Sequence, residues 1–238
     1  MNAEAVLITG VSRRLGLHMA KTFLDRSIPV IGTFRTERES IADLRNMGAE
    51  LYQCDFYDNA QIEQLVSSIQ QKHQRLRAVI HNASDWLTDD NNDLTPAEVM
   101  QRMIQVHVTA PYQLNMALEP LLKASTGTCA DIVHIGDFIS SRGSKKHVAY
   151  AASKAAQDNM TLSFASRLAP KVKVNSLAPS LVIFNDEDDE TYRTRTLRKS
   201  LMQKEGGLEE FQASIDYLMQ SKYVTGRVLP MDGGRHLC

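Results

Sequence analysis

The stretch AVLITGVSRRLG, residues 5–16, decides the fold of this chain. Its first part is a short apolar run, and a segment with helical spacing follows the turn that starts at Gly10. A glycine turn between a buried strand and a helix leaves backbone N–H groups and the positive end of the helix dipole open to an anion. Gly10 permits the tight turn, and Gly16 lets the helix pack close to the sheet. Because Arg14 stands where the GxGxxG pattern has its middle glycine, the turn taken alone also fits a simple strand–helix connection.

Six further short apolar runs follow this strand, and segments with helical spacing lie between them. Runs of this kind, rich in Val and Ile and bounded by turn residues or charges, are typical of buried parallel strands. The runs cover residues 28–34, 50–54, 77–81, 131–135, 171–177 and 227–231. The helical segments cover residues 15–26, 59–73, about 96–124 and about 150–168. Since this alternation implies right-handed βαβ crossovers, we predict a single Rossmann-like, doubly wound α/β domain over residues 1–238, with about seven parallel strands and helices on both faces.

Residues 183–210 interrupt the alternation. The segment is acidic first and basic afterwards, and it has no strand pattern. We expect helical insertions here that cover a site at the edge of the sheet where ligands of doubly wound folds bind. An ordinary solvated helix of mixed charge would explain the segment equally well.

The composition excludes several classes of protein. Of 238 residues, 43% are hydrophobic and 23% are charged, close to a globular average. Lys and Arg number 27 against 28 Asp and Glu, a net charge of −1, whereas a dedicated nucleic-acid binder carries a basic excess. No apolar run reaches the roughly 18–20 residues of a membrane helix, and no signal peptide pattern precedes the first strand. Cys54, Cys129 and Cys238 are widely spaced and predict no metal site. We therefore expect a cytoplasmic protein with neither nucleic acid nor membrane as partner.

The end of the second strand bears on the choice of cofactor. An acidic residue there would hold the adenosine ribose of NAD, and a cation would pair with the extra phosphate of NADP. The sequence has Arg35 at this place and no acid before Glu37, while Arg13 adds a cation in the first turn. Because guanidinium groups suit bidentate phosphate contacts, we predict NADPH rather than NADH. The alternative is that Arg35 is a surface arginine without a role.

Polar residues also follow the third and fourth strands. Asp55 ends the third strand, where it would accept a hydrogen bond from the adenine amino group or merely begin the next turn. Asn82, Ala83 and Ser84 follow the fourth strand. Since the carboxyl ends of parallel strands meet at the ligand-binding edge of such a sheet, we expect these residues beside the cofactor.

Tyr150 and Lys154 form the candidate catalytic pair. They are four residues apart in VAYAASKAA and therefore share one face of a helix. An ammonium group beside a phenol favours the phenolate, so we expect Lys154 to lower the pKa of Tyr150 from its ordinary value near ~10 and make it an acid or base. Asp137 ends the fifth strand and should point into the same cleft. A surface Tyr–Lys pair is the alternative that an isolated YxxxK pattern would favour.

Taken together, these motifs resemble the short-chain dehydrogenase/reductase family over essentially the whole chain. The motifs are TGxxxRxG at 9–16, NAS at 82–84, YxxxK at 150–154, VNSLAPS at 174–180 and VTGRVLPMDGG at 224–234. The sequence is most similar to the pteridine reductase-like branch and, within it, to bacterial dihydromonapterin reductases. The specific marks are Arg14 in the first turn, Ser84, Trp86, and Asp137 where most members carry the catalytic serine.

The resemblance implies a role for each matching residue. Tyr150 would be the acid end of the site, Lys154 would poise it and hold the nicotinamide ribose, and Asp137 would hydrogen-bond Tyr150. The proton for the ring nitrogen would come from Tyr150 or from water. Trp86 would stack on the pterin ring opposite the nicotinamide. Together with the residue arguments above, this predicts cofactor contacts from Gly10, Ser12, Arg13, Arg14, Leu15, Gly16, Arg35, Asp55, Asn82, Ala83, Tyr150, Lys154 and Pro179. The predicted substrate contacts are Arg14, Ser84, Trp86, Asp137 and Tyr150.

The activity implied by the resemblance is NADPH-dependent reduction of 7,8-dihydromonapterin to tetrahydromonapterin, with weaker reduction of dihydrofolate to tetrahydrofolate. The hydride would reach the carbon of the C=N bond. Two alternatives stay open: an NADPH-dependent reductase of carbonyls such as 3-oxoacyl thioesters, and a non-catalytic NADP(H)-binding sensor. The resemblance also implies a homo-oligomer, a tetramer formed through the helices around 96–124 and 150–168.

Two residues depart from the family pattern. His107 replaces an asparagine that usually supports a proton relay through water. The histidine would carry protons itself or serve as a packed polar residue. Ser180 replaces the glycine of the usual Pro-Gly pair and would change the loop over the nicotinamide.

Overall fold

A computed structural model describes residues 4–90 and 93–238, and these residues form one seven-stranded sheet. All of its strand pairs are parallel, and the strand order is β3-β2-β1-β4-β5-β6-β7. The strands are β1 Ala5–Ile8, β2 Val30–Phe34, β3 Glu50–Gln53, β4 Leu76–His81, β5 Ala130–Ile135, β6 Val172–Pro179 and β7 Arg227–Met231. The order reverses between β1 and β4, which is where a doubly wound sheet opens a ligand crevice at its carboxyl edge.

The helices of the described residues cover both faces of this sheet. They are α1 Arg14–Asp25, α2 Glu39–Asn46, α3 Asn59–Lys72, α4 Pro96–Ile104, α5 Ala110–Lys123, α6 Val148–Leu168, α7 Glu190–Leu197 and α8 Leu208–Gln220. Ile69, Leu114 and Phe164 from α3, α5 and α6 pack in one core, and Phe23 and Phe211 from α1 and α8 pack in the other. The predicted α/β fold is therefore confirmed, and burial of these apolar faces is its main source of stability.

The long helix expected over 96–124 is interrupted. Residues Gln105–Thr109 form a π-helical turn between α4 and α5, and the N–H of Ala110 donates to the carbonyl of Gln105. Pro111 has no N–H to donate to the carbonyl four residues before it, which is that of His107. The wider turn accommodates this missing hydrogen bond, and such turns are frequent at functional sites.

Segment 183–210 contains less helix than expected. Of its residues, α7 takes Glu190–Leu197, and Leu208 begins α8. The α7 helix buries none of its residues, and Asp189 caps it by accepting a hydrogen bond from the N–H of Tyr192. An exposed helix held by its cap fits the mixed charge of the segment.

The first turn is tied to the end of β4 by a set of hydrogen bonds. The side-chain amide of Asn82 donates to the carbonyls of Thr9 at 3.0 Å and Gly10 at 2.9 Å. The hydroxyl of Thr9 accepts from the backbone N–H groups of Asn82 and Ala83, each at 2.9 Å. A Cβ on Gly16 would lie 2.1 Å from the carbonyl oxygen of Gly10, so only glycine lets α1 begin this close to the turn. We refer to Thr9, Gly10, Gly16 and Asn82 as the turn clamp.

No helix within residues 4–90 and 93–238 is long and apolar enough to cross a membrane.

Two buried histidines, on β4 and β5, make the stability of the protein depend on pH. His81 contacts the side-chain oxygen of Asn115 at 2.7 Å, and His134 contacts the hydroxyl of Thr161 at 2.7 Å. Burial lowers the pKa of His81 to about 4, and burial also lowers that of His134 well below its ordinary value. A proton therefore binds these rings more readily in the unfolded chain than in the native one.

We expect the free energy of unfolding to fall as the pH drops from about 6.5 towards 4. Each such histidine binds a proton only in the unfolded state over this window and contributes a slope of roughly 1 kcal/mol per pH unit. Urea unfolding at pH 7 and pH 5 measures the effect. The variant His81→Gln, which keeps an N–H donor for Asn115 but does not titrate, should show a shallower slope. An equal slope in both proteins would contradict the assignment to His81.

Candidate active site

A cavity of about 380 Å³ opens at the carboxyl edge of the sheet. Most of the predicted site residues line it, although they come from distant parts of the chain. They are Gly10, Ser12, Arg13, Arg14, Leu15, Gly16, Arg35, Asp55, Asn82, Ala83, Ser84, Asp137, Tyr150, Lys154 and Pro179. The parallel strand order brings these residues together, because every strand ends at the same edge.

The phosphate end of this cavity is formed by the first turn. Arg13 is the N-cap residue of α1, and its side chain makes no capping hydrogen bond. The first N–H groups of the helix are therefore without a side-chain cap at the edge that faces the cavity. Arg14 adopts a left-handed backbone with φ of 52°, and Gly10 adopts one with φ of 74°. A tight turn of this kind suits an anionic diphosphate group.

Three arginines from different elements line the cavity near the end of β2. Arg13 and Arg35 were predicted, whereas Arg38 was missed by the sequence reasoning. Arg38 precedes α2, a short helix that the apolar pattern did not reveal. Arg35 pairs with Asp85 at 3.1 Å, while no ion pair of Arg13 or Arg38 is found among the described residues. Three guanidinium groups therefore line this cavity, one of them paired with Asp85.

The candidate catalytic groups meet at the other end of the cavity. The hydroxyl of Tyr150 donates to Oδ2 of Asp137 at 2.8 Å, and the same carboxyl accepts from the backbone N–H of Ile139 at 2.8 Å. The Nζ of Lys154 donates to the carbonyl of Ile135 at 2.9 Å and lies 5.8 Å from the centre of the Tyr150 ring. The helix α6 thus holds the predicted pair against the end of β5.

The pKa of Tyr150 does not follow the sequence-based expectation. Burial and the neighbouring Asp137 carboxyl raise the pKa of Tyr150 well above 10, so the expectation that Lys154 would lower it is wrong for this structure. Burial also raises the pKa of Asp137, against the hydrogen bonds that it accepts. Burial lowers the pKa of Lys154 to about 8, although Asp137 and Asp158 oppose the shift. The phenol therefore keeps its proton at neutral pH, as an acid requires.

Both departures from the family pattern have partners in the structure. His107 is fully buried in the π-helical turn, and its ring meets the Tyr150 ring edge-on at 5.3 Å between centres. The hydroxyl of Ser180 accepts from Arg235 at 2.9 Å. Arg235, which lies 5.3 Å from the Phe138 ring, was also missed by the sequence reasoning, although it directly follows the quoted VTGRVLPMDGG motif. Its charge is close enough to Asp137 to oppose the rise in that pKa.

Trp86 is the one predicted residue that does not line the cavity. Its indole is 61% exposed and stacks on the ring of His147, with 4.1 Å between ring centres and an angle of 27°. The chain after Trp86 is held to α6, because Asp89 accepts hydrogen bonds from the N–H groups of Val148 at 2.6 Å and Ala149 at 3.1 Å. The tryptophan therefore lies beside the start of the catalytic helix.

Arg14 connects the first turn to the segment predicted to cover the site. Its guanidinium donates to the carbonyl of Ile183 at 2.7 Å and to the side-chain oxygen of Asn185. Val182, just before these residues, lines the cavity. The start of segment 183–210 is thus attached to the phosphate turn.

A sheet of this order, with a glycine turn and a buried Tyr–Lys pair, defines a dinucleotide-dependent oxidoreductase. A family model described as enoyl-(acyl carrier protein) reductase matches residues 10–236. The chain belongs to the short-chain dehydrogenase/reductase family, as the sequence motifs predict.

Individual relatives within this family are similar over nearly the whole chain. Dihydromonapterin reductase from Klebsiella pneumoniae is 50% identical over 98% of this chain and 96% of its own length. This chain is also similar to the crystal structure of FolM alternative dihydrofolate reductase 1 from Brucella canis complexed with NADP. The superposition covers 100% of this chain and 95% of the Brucella chain. Its TM-score is 0.88 at 23% identity, a likeness of fold. The RhlG/NADP active-site complex from Pseudomonas aeruginosa has a TM-score of 0.87 at 25% identity and covers 99% of this chain and 97% of its own.

The Arg14 contacts predict how the covering segment is held. We expect Arg14→Gln to remove two hydrogen bonds and to speed amide hydrogen exchange at residues 183–185 roughly tenfold. Hydrogen–deuterium exchange read by mass spectrometry measures this. Arg13→Gln is the matched control, since Arg13 is exposed and makes no side-chain cap to α1. Unchanged exchange in Arg14→Gln would show that the segment is held by other contacts.

Proposed function

We propose that this protein reduces 7,8-dihydropterins with NADPH, with 7,8-dihydromonapterin as the preferred substrate and dihydrofolate as a slower one. The observation that carries the proposal is the 2.8 Å hydrogen bond between Tyr150 and Asp137 in the cleft. It occurs in a chain that is 50% identical to a dihydromonapterin reductase over 98% of its length. Most relatives outside the pteridine branch have a serine in place of Asp137, as the sequence resemblance implies.

The residues at the phosphate end fit NADPH. Gly16 lets α1 begin directly against the first turn, since a Cβ there would meet the Gly10 carbonyl, and the start of α1 has no side-chain cap. Arg13, Arg35 and Arg38 would supply positive charge to the extra phosphate of NADPH. Lys154 and Pro179 also line the cavity and would hold the nicotinamide end. When bound, the cofactor supplies a hydride.

The other end of the cavity fits the acid step. Reduction of a C=N bond adds a hydride to carbon and a proton to nitrogen, and NADPH leaves as NADP⁺. Tyr150 keeps its proton because burial and Asp137 raise its pKa. Asp137 orients the hydroxyl through the 2.8 Å hydrogen bond, and the amide of Ile139 orients Asp137 in turn. We assign the positioned proton to this Tyr150–Asp137 pair.

Substrate contacts are proposed for Arg14, Ser84, Asp137, Tyr150 and Trp86. The first four line the cavity. Trp86 lies outside it with one face against His147 and with most of its surface exposed, which leaves the other face for a flat heteroaromatic ring. For Trp86 to stack on the substrate, the substrate would have to reach beyond the residues that line the cavity and contact the exposed indole.

We further propose a cytoplasmic homotetramer. The expected subunit contacts, around residues 96–124 and 150–168, fall on α4, α5 and α6, where Met100, Tyr112 and Leu162 are exposed apolar side chains. Contact with a partner subunit would remove these apolar side chains from water.

Turnover tests the proposal directly. We expect purified protein to oxidise NADPH with 7,8-dihydromonapterin and more slowly with dihydrofolate. Tyr150→Phe should lose about 10²- to 10⁴-fold in kcat while NADPH binding is kept, because the acid is removed and the ring is not. Absorbance of NADPH and fluorescence titration measure the two. Turnover of an acetoacetyl thioester but of no dihydropterin would favour a carbonyl reductase, and binding without any turnover would favour a sensor.

The arginine cluster predicts the preference for NADPH over NADH. Arg38→Gln removes one cation from the phosphate end, so the ratio of affinities for NADPH and NADH should fall by roughly 10- to 100-fold. Affinity for NADH should stay the same, because it lacks the extra phosphate. Arg167→Gln, at the α6 surface where Arg167 pairs with Glu119, is the control. An unchanged ratio in Arg38→Gln would remove this residue from the cofactor site.

A further inference from the structure

The buried ring of His107 bonds through both of its nitrogens. Nδ1 lies 2.8 Å from the hydroxyl of Ser153, and Nε2 lies 2.8 Å from the hydroxyl of Ser84. Ser84 lines the active-site cavity and is also within hydrogen-bond reach of the Tyr150 hydroxyl. Each of these hydroxyls can donate or accept, so the direction of the bonds depends on which nitrogen carries the proton.

The surroundings of Nδ1 decide that question. The hydroxyl of Ser153 donates to the backbone carbonyl of Tyr150 at 2.7 Å, and a carbonyl can only accept. Ser153 has one proton, so its oxygen must accept from Nδ1–H of His107. Hence Nδ1 is the protonated nitrogen.

The other nitrogen must then be an acceptor. A second proton on Nε2 would charge the ring, and burial together with the nearby Lys154 ammonium lowers the pKa of His107 well below its ordinary value. The neutral Nε2 therefore takes the hydroxyl proton of Ser84. The carbonyl of Asp85, at 3.3 Å, and the oxygen of Tyr150 compete for that proton, but Nε2 at 2.8 Å would otherwise face the Ser84 oxygen with no proton between them.

We propose that His107 is a positioning residue that holds the Ser84 proton, so that Ser84 meets the substrate only as a hydrogen-bond acceptor and selects ligands that present an N–H group. This deepens the proposed function and rests on it for the identity of the substrate. A dihydropterin has several N–H groups along its ring edge. A simple carbonyl substrate presents an acceptor, which would meet the lone pairs of Ser84 without a proton between them.

The tautomer can be read without any turnover. Nitrogen-15 NMR of histidine-labelled protein, with the His107 signal assigned by its shift in Ser84→Ala, should show Nδ1 protonated and Nε2 bare. A protonated Nε2 would overturn the proposal. Because this reading needs no substrate, it stays decisive if the wild-type protein proves inactive on every dihydropterin, a result that would reject the proposed function instead.

Kinetics test the consequence for the substrate. His107→Asn keeps a donor for Ser153 but is too short to reach Ser84, so KM for the dihydropterin should rise about tenfold, the equivalent of one hydrogen bond, with a smaller change in kcat and in NADPH affinity. Ser84→Ala should show the same pattern. In the double variant the losses should not add, since His107 acts only through Ser84.

A buried histidine elsewhere supplies the control. His134→Asn shortens a comparable buried ring, whose Nδ1 contacts Thr161 at 2.7 Å, and it should lower the midpoint of thermal unfolding without raising KM. Additive losses in the His107→Asn, Ser84→Ala pair, or a KM effect as large in His134→Asn, would show that His107 acts through general stability and not through Ser84.

Discussion

The turn clamp is the interaction on which the site depends. The side chain of Asn82 donates hydrogen bonds to two carbonyls of the first turn, and the hydroxyl of Thr9 accepts hydrogen bonds from two N–H groups at the end of β4. Polar backbone groups at a sheet edge need such partners when they leave the ladder. By joining the ends of β1 and β4, the clamp sets the width of the crevice where the strand order reverses. It thereby places the phosphate turn on one side of the crevice and the residues near Tyr150 on the other.

Burial gives the catalytic end its chemistry. Tyr150, Lys154 and His107 are all nearly inaccessible to solvent, and in each case loss of solvation is the largest cause of the pKa shift. The phenol keeps its proton, the ammonium becomes easier to discharge, and the imidazole stays neutral. The phosphate end contrasts with this, since Arg13, Arg35 and Arg38 remain exposed and charged. The same crevice thus has exposed arginines for an anion at one end and a buried proton-donating group at the other.

Much of this architecture follows from pattern alone. The seven apolar runs predict the seven strands, because buried parallel strands need continuous Val- and Ile-rich segments. The strand ends then predict most of the cavity lining, since a parallel sheet gathers its carboxyl ends. The sequence did not predict Arg38 and Arg235 as site residues, because a surface arginine belongs to no hydrophobic pattern. The pKa of Tyr150 was misjudged because spacing shows the nearby ammonium but not the burial that outweighs it. The position of Trp86 depends on its contact with His147, which no local pattern encodes.

The wide turn ahead of Pro111 has a consequence for protein engineering. It shifts the helical register between α4 and α5, and in this register the His107 ring reaches the hydroxyl of Ser153 on α6. If His107 alone were introduced into a homologue whose helix is a regular α-helix at this place, its ring would contact different residues. Pro111, the π-helical turn and His107 should therefore be transferred together in any engineered variant.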